Sequence, residues 1–232
     1  MLASQFEQRP IGPTHGSFSG RANLATPSGS QCYESALEGE LIEQIAFCPV
    51  LKDLITQPVI RYTKKGVERR YTPDVLADFG GRRPRRFVIE VKRDEELRAA
   101  DARLTEKLEI GRLWCAQNGA RFRIMTERHI RTPLLANARL LTPQMRRTAD
   151  PSVLAIVTQA ITAGALTMSQ CIDRLAENGL PAPRAKAELE IMIAQRLVAC
   201  DLESPVTEAS LIRRRRAGEP DPVLRKILRA AK

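Results

Sequence analysis

Two short stretches hold residues whose types and spacing suit phosphodiester chemistry. The first is YTPDV (71–75) and the second FVIEVK (87–92). In an extended strand successive side chains alternate faces, so Glu90 and Lys92 point one way and Val91 the other. Asp74 lies sixteen residues before Glu90, one hairpin away, so a neighbouring strand can bring the two carboxylates together. Two hard oxygen donors beside a lysine suit a divalent cation such as Mg²⁺, which keeps some of its waters and takes one or two carboxylates plus substrate phosphate. Such an ion polarises the scissile phosphate and lowers the pKa of a bound water. A lysine beside two carboxylates stays protonated, which favours an electrostatic role for Lys92 over a role as base. A third acid is available on a preceding helical stretch, where Glu34 and Glu38 are four residues apart and share a face. Glu38 lies at the edge of the stripe made by Leu37, Leu41 and Ile42.

The elements that must position these groups follow from periodicity. Residues 1–30 are rich in Gly, Ser, Pro and Thr without an apolar period and read as a loose arm. From Tyr33, Leu37, Leu41 and Ile45 recur at helical spacing until Pro49. Strand-like pieces follow at 57–63, 67–73, 74–79 and 85–92, the last of them the strongest, and their order suggests an antiparallel meander. Asp94, Glu95 and Glu96 open one long helix reaching about Asn118, with Leu97, Leu104, Leu108 and Cys115 near one face. RFRIMTE (121–127) is a further strand, so strand, helix and strand make a crossover unit and imply a mixed α/β sheet. Strand signals stop near residues 146–151. Beyond them come helices at 153–163, 167–178 (with Thr167 and Gln170 in capping-box spacing) and 184–197, then a short strand candidate at 198–202. Three short helices and a strand read as a winged-helix-like module. The expected organisation is an arm at 1–30, a nuclease-type domain at 31–148, a winged-helix-like domain at 149–215 and a basic tail at 216–232.

Composition narrows the partners. The formal net charge is +10 over 232 residues, a balance that favours a polyanion, nucleic acid being the commonest. Residues 61–86 hold nine Arg or Lys against three acids, so Arg69, Arg70, Arg82, Arg83 and Arg85 are candidate contacts to DNA phosphates beside the site. Arg213 to Arg216 form a second basic run. The five cysteines have no CxxC spacing, which argues against a disulfide framework or a structural zinc site. His15 and His129 are the only histidines, so His-based metal or triad chemistry has few candidates. No apolar run approaches a bilayer span and the N-terminus has no hydrophobic signal core, which points to a cytoplasmic protein without a membrane partner. The third C-terminal helix mixes Arg184 and Lys186 with Glu188 and Glu190, a balance that points to protein contact rather than base reading.

The Asp74…Glu90-x-Lys92 spacing, with Pro73 before the aspartate, resembles the pattern of the PD-(D/E)xK nuclease superfamily, whose fold is a restriction-endonuclease-like mixed sheet flanked by helices. The ordered set ESALE (34–38), CP (48–49), QP (57–58), YTPD (71–74), IEVK (89–92), TE (126–127) and IR (130–131) is similar to the TnsA endonuclease subunit of heteromeric transposases over about residues 31–141. The resemblance implies that Glu38 is the catalytic helix acid and Asp74 a metal ligand. It implies that Glu90 is the second ligand, at a position where the family carries Gln or Glu, and that Lys92 is the lysine. Mg²⁺, with Mn²⁺ as a substitute, would be held by Glu38, Asp74 and Glu90. The implied activity is cleavage of the 5′ ends of a mobile element in double-stranded DNA, with a DDE-class transposase subunit cutting and joining the 3′ ends and an ATPase regulator coordinating them. Two other readings use the same residues: a stand-alone restriction or repair nuclease, and a non-catalytic DNA-binding regulator on a nuclease fold.

Overall fold

The computed structural model describes residues 1–11, 19–64, 66–80 and 85–231, and they divide into two units, Met1–Arg131 with Leu224–Lys232, and Thr132–Val223. In the first unit a 3-10 turn at Leu2–Ser4 leads to a small antiparallel pair, β1 (Gly20–Ala22) and β2 (Gln31–Tyr33), then α1 (Ala36–Ala46). β3 (Leu51–Thr56), β4 (Ile60–Lys64), β5 (Val67–Tyr71), β6 (Val75–Phe79) and β7 (Arg85–Val91) follow. Next come α2 (Asp94–Arg98), α3 (Ala102–Gln117), β8 (Arg121–Met125) and the short α4 (Glu127–Ile130).

The central sheet has the order β3-β6-β7-β8, antiparallel except for the β7–β8 pair. The expected crossover is present: α3 connects two parallel neighbours. The expected meander is broken, because β4 and β5 form a separate two-stranded hairpin between β3 and β6, which pair with each other. β3 itself was not among the expected strands. Its alternation is interrupted by Asp53, whose carboxylate is buried and accepts bonds from the backbone N–H groups of Leu2, Ser28 and Leu54. Those bonds hold the Asp53 carboxyl below its usual range although burial alone would raise it. They also seat Leu2, which is 1% exposed, in the core. The described start of the chain is therefore packed against β3 where the sequence suggested a loose arm.

The long helix expected over 94–118 is two helices. Asp101 ends the first phase and caps the second, its side chain accepting from the Leu104 N–H. α3 covers the sheet face formed by Ile55, Leu76, Val88, Phe122 and Ile124, all buried, each burial stabilising by roughly 1.5–3 kcal/mol. The helix approaches closely because Gly111 faces the Phe122 ring, where a Cβ would come within 2.4 Å of Cε2.

The second unit contains α5 (Pro133–Leu141), a 3-10 segment at Thr142–Arg146, α6 (Pro151–Ala160), β9 (Leu166–Thr167), α7 (Met168–Glu177), α8 (Ala182–Ala194) and β10 (Leu211–Ile212). β9 and β10 are antiparallel, and Ala199 bridges Arg213 where a longer strand was expected at 198–202. The Thr167–Gln170 capping box forms as its spacing suggested. Arg196, at a left-handed φ of 62°, and Asp221 form a buried ion pair at 2.8 Å. The last helix, α9 (Pro222–Arg229), leads to a bridge between Ala231 and Ile124 of β8, while Arg123 donates to the carbonyls of Ile227 and Leu228. The segment expected as a basic tail is thus largely ordered.

Candidate active site

The register of the sheet determines where the acids meet. Val75 pairs with Ile89 and with Thr56, so one residue further on Asp74 faces Glu90 on one side and Gln57 on the other. The Gln57 N–H donates to the Asp74 carbonyl at 3.0 Å, continuing the β3–β6 ladder. Period-two alternation puts this row on the face already occupied by Ile55, Leu76 and Val88. The site is the polar continuation of the apolar layer under α3.

Asp74 Oδ2 accepts the Val91 N–H at 2.6 Å, and Gln57 Nε2 reaches Asp74 Oδ1 at 3.5 Å. Gln57 adopts φ of 49°, a left-handed conformation costing a non-glycine residue about 1–2 kcal/mol. Its Oε1 accepts from Arg9 at 2.9 Å, and Arg9 in turn pairs with Glu34 at 2.5 Å. Lys92 Nζ lies 3.0 Å from Glu90 Oε1, 3.8 Å from Asp74 Oδ2 and 2.7 Å from the Val91 carbonyl. Burial would lower the Lys92 pKa, but Asp74 and Glu90 together raise it, so the ammonium persists. Asp74 is pushed up from 3.8 to about 7, by burial first and then by the negative charges of Glu90 and Glu38, with Lys92 opposing.

Glu90 is fully buried and has three donors. Lys107 on α3 lies 2.5 Å from Oε1, beside Lys92, and the Tyr71 hydroxyl donates to Oε2 at 3.0 Å. Burial and the Glu90 charge hold the Tyr71 hydroxyl protonated. Glu38 sits in the first turn of α1, where Oε2 accepts the Glu34 N–H at 3.0 Å and the Ser35 hydroxyl donates to Oε1 at 2.9 Å.

Asp74, Glu38, Gln57 and Lys92 open on a cleft of about 880 Å³, whose rim carries Arg69 and Arg70 of the β4–β5 hairpin and Arg103 and Lys107 of α3. Arg85 is elsewhere. It lines a separate recess with Lys52 and Arg86, and its Nε is buried without a hydrogen-bond partner. Arg82 and Arg83 lie outside the described residues.

Residues 43–127 match the family model described as TnsA-like endonuclease N terminal. No curated protein matches the chain. The TnsA-like region spans Gln57, Asp74, Glu90, Lys92 and Lys107; Glu38 lies just before it.

The donor types at this site suit a hard divalent ion: buried carboxylates in a row, one of them destabilised by its charged neighbours. Among the described residues, however, no three His, Cys, Asp or Glu side chains form a group placed to hold a metal ion. The oxygens of Glu90 are engaged by Lys92, Lys107 and Tyr71, and those of Glu38 by the start of its own helix. Asp74 Oδ1, with only the long contact from Gln57, is the donor least committed to protein partners. Sequence reasoning missed Lys107, Tyr71, Arg9 and Arg103. For Lys107 there was a signal. It interrupts the apolar stripe of Leu104, Leu108, Gly111 and Cys115 at helical spacing, where a cation facing the sheet needs an acid opposite it. Among the described residues no helix is long and apolar enough to cross a membrane.

Proposed function

We propose that the chain is a divalent-metal-dependent DNA endonuclease of a transposition system, hydrolysing phosphodiester bonds at the 5′ ends of a mobile element alongside a DDE recombinase and an ATPase regulator. The observation that carries this reading is the Gln57–Asp74–Glu90 row with Lys92, opening on an arginine-rimmed cleft within a region similar to TnsA-like endonucleases.

Asp74 and Glu90, with Glu38 at the cleft wall, would hold Mg²⁺ or Mn²⁺. When bound, the ion supplies Lewis acidity at the scissile phosphate and a water of lowered pKa. The remaining work falls to the chain itself. The Val91 N–H and Gln57 orient the Asp74 carboxylate. Lys92, held as an ammonium, stabilises negative charge developing on the phosphoryl oxygens in a water-poor site. Arg69, Arg70 and Arg103 seat flanking phosphates and fix the register of the duplex without reading its sequence. The second unit we read as winged-helix-like, a reading supported by the order α6, β9, α7, α8, Ala199 bridge and β10, with β10 and Arg213 joining the two outer pieces. Its mixed-charge α8 favours contact with partner protein.

The test is cleavage of element-end DNA by the full assembly with Mg²⁺ or Mn²⁺. Asp74→Ala should abolish 5′-end cutting while circular dichroism shows the fold retained. Undiminished cutting by that variant would exclude the site, and strong cutting by the wild-type chain without partners would point to a stand-alone nuclease.

A further inference from the structure

Glu90 has more positive charge against it than one carboxylate needs. Lys92 and Lys107 both contact Oε1, at 3.0 and 2.5 Å, while Asp74 in the same row has a backbone N–H, a long contact from an amide and one cation, Lys92, more distant at 3.8 Å. The two lysines differ in origin. Lys92 follows Glu90 on the strand and is tied to the Val91 carbonyl. Lys107 comes from α3, and its ammonium lies over the Tyr71 ring, 5.7 Å from the centroid. Its side chain is 36% exposed, and it lines the cleft shared with Arg69, Arg70 and Arg103. One end of its reach is therefore a buried carboxylate and the other a groove suited to phosphate.

Charge balance gives this placement a consequence. With all three ionised, as metal binding would require, Glu38, Asp74 and Glu90 supply three negative charges and Lys92 one positive, a balance matching one divalent cation. Lys107 supplies positive charge at the same place. It occupies an oxygen the cation would need and repels the cation directly. A backbone phosphate in the cleft offers Lys107 an alternative partner of equal charge.

We propose that Lys107 is a built-in counter-ion that holds Glu90 away from the metal until a DNA backbone phosphate enters the cleft and draws the ammonium off. This rests on the metal-dependent nuclease reading above. Metal and duplex then bind cooperatively through one side chain, and each tightens the other by the same factor.

The test is Mn²⁺ affinity of the full chain, read from the electron paramagnetic resonance signal of free Mn²⁺ at fixed ionic strength, with and without a short duplex. Lys107→Met keeps the length of the stem and removes the charge; Lys107→Gln is the alternative should the methionine variant misfold by circular dichroism. Without DNA, the neutral variant should bind Mn²⁺ about tenfold tighter than wild type, within the range typical of coupled sites. With duplex present that gap should close. Equal or weaker binding by the neutral variant without DNA would overturn the proposal. A gap that survives the duplex would overturn the coupling to DNA. Failure of the underlying reading looks different: wild type and Asp74→Asn would then bind Mn²⁺ alike, or neither would bind, with Lys107 intact in both.

Discussion

Replacing Asp74 by Asn should stabilise the metal-free protein at alkaline pH. Burial, reinforced by Glu90 and Glu38 and opposed by Lys92, raises the Asp74 pKa from 3.8 to about 7. The folded-state value lies above the unfolded one, so the fold prefers the protonated carboxyl. The stability this contributes is fully present below about pH 4 and is lost as pH rises through about 7. A displacement of about 3 pH units sets a ceiling of about 4 kcal/mol on the cost of carrying the ionised form at pH 8.5. Asn has the shape of the protonated acid, keeps an acceptor for the Val91 N–H and never ionises. At roughly 2–4 °C per kcal/mol for a chain of this size, the ceiling corresponds to a rise of about 8–16 °C in Tm over wild type at pH 8.5. Near pH 4 the two proteins should melt together. The assay is thermal unfolding in a chelator at both pH values, repeated with Mn²⁺, which should raise the wild-type Tm by mass action and leave the variant unchanged. An Asn variant less stable than wild type by the same amount at both pH values would refute the electrostatic reasoning.

Three further outcomes follow from the structure. Arg69→Ala and Arg70→Ala should each weaken duplex binding across all sequences and reduce the salt slope by about one, measured by fluorescence anisotropy over a salt series. Gly111→Ala gains about 1 kcal/mol of helix propensity but drives its Cβ to 2.4 Å from the Phe122 ring. Overpacking of about 1–3 kcal/mol should dominate, lowering the denaturation midpoint, and Phe122→Leu in the same chain should restore it. Arg196→Met strands the buried Asp221 carboxylate, whose side chain is 2% exposed, and should cost the second unit about 3–5 kcal/mol in urea unfolding.

That Glu90 and Lys92 lie together was legible because alternation on a Val- and Ile-rich strand decides which side chains share a face. Their meeting with Asp74 was less legible, since it depends on register. β6 pairs with β3 across an intervening hairpin, and no local pattern announces that β4 and β5 leave the sheet. β3 escaped notice because Lys52 and Asp53 break its apolar run, and Asp53 is there to hold Leu2 and Ser28, partners distant in sequence. The break between α2 and α3 was hidden by Leu97 and Leu104, whose spacing fits one continuous helix as well as two. Capping at Thr167 was readable because both partners lie within one turn. Lys107 was visible as an oddity in an apolar stripe, but its acid lies on another element, and only the packing of α3 identifies it.

The bridge from Ala231 to β8 also bears on how the molecule is made. β8 is an edge strand, and its outer rim is met by residues that follow the whole second unit in the chain. During synthesis the sheet carrying Asp74 and Glu90 leaves the ribosome first, while α9 and Ala231 emerge only after Thr132–Val223 has been translated. Until then Ile124 on the β8 rim lacks its bridge to Ala231, and an unpaired strand edge is the kind of surface on which nascent chains associate with one another. A unit joined by its own distant sequence therefore reaches its finished form late, after the segment between has had time to fold.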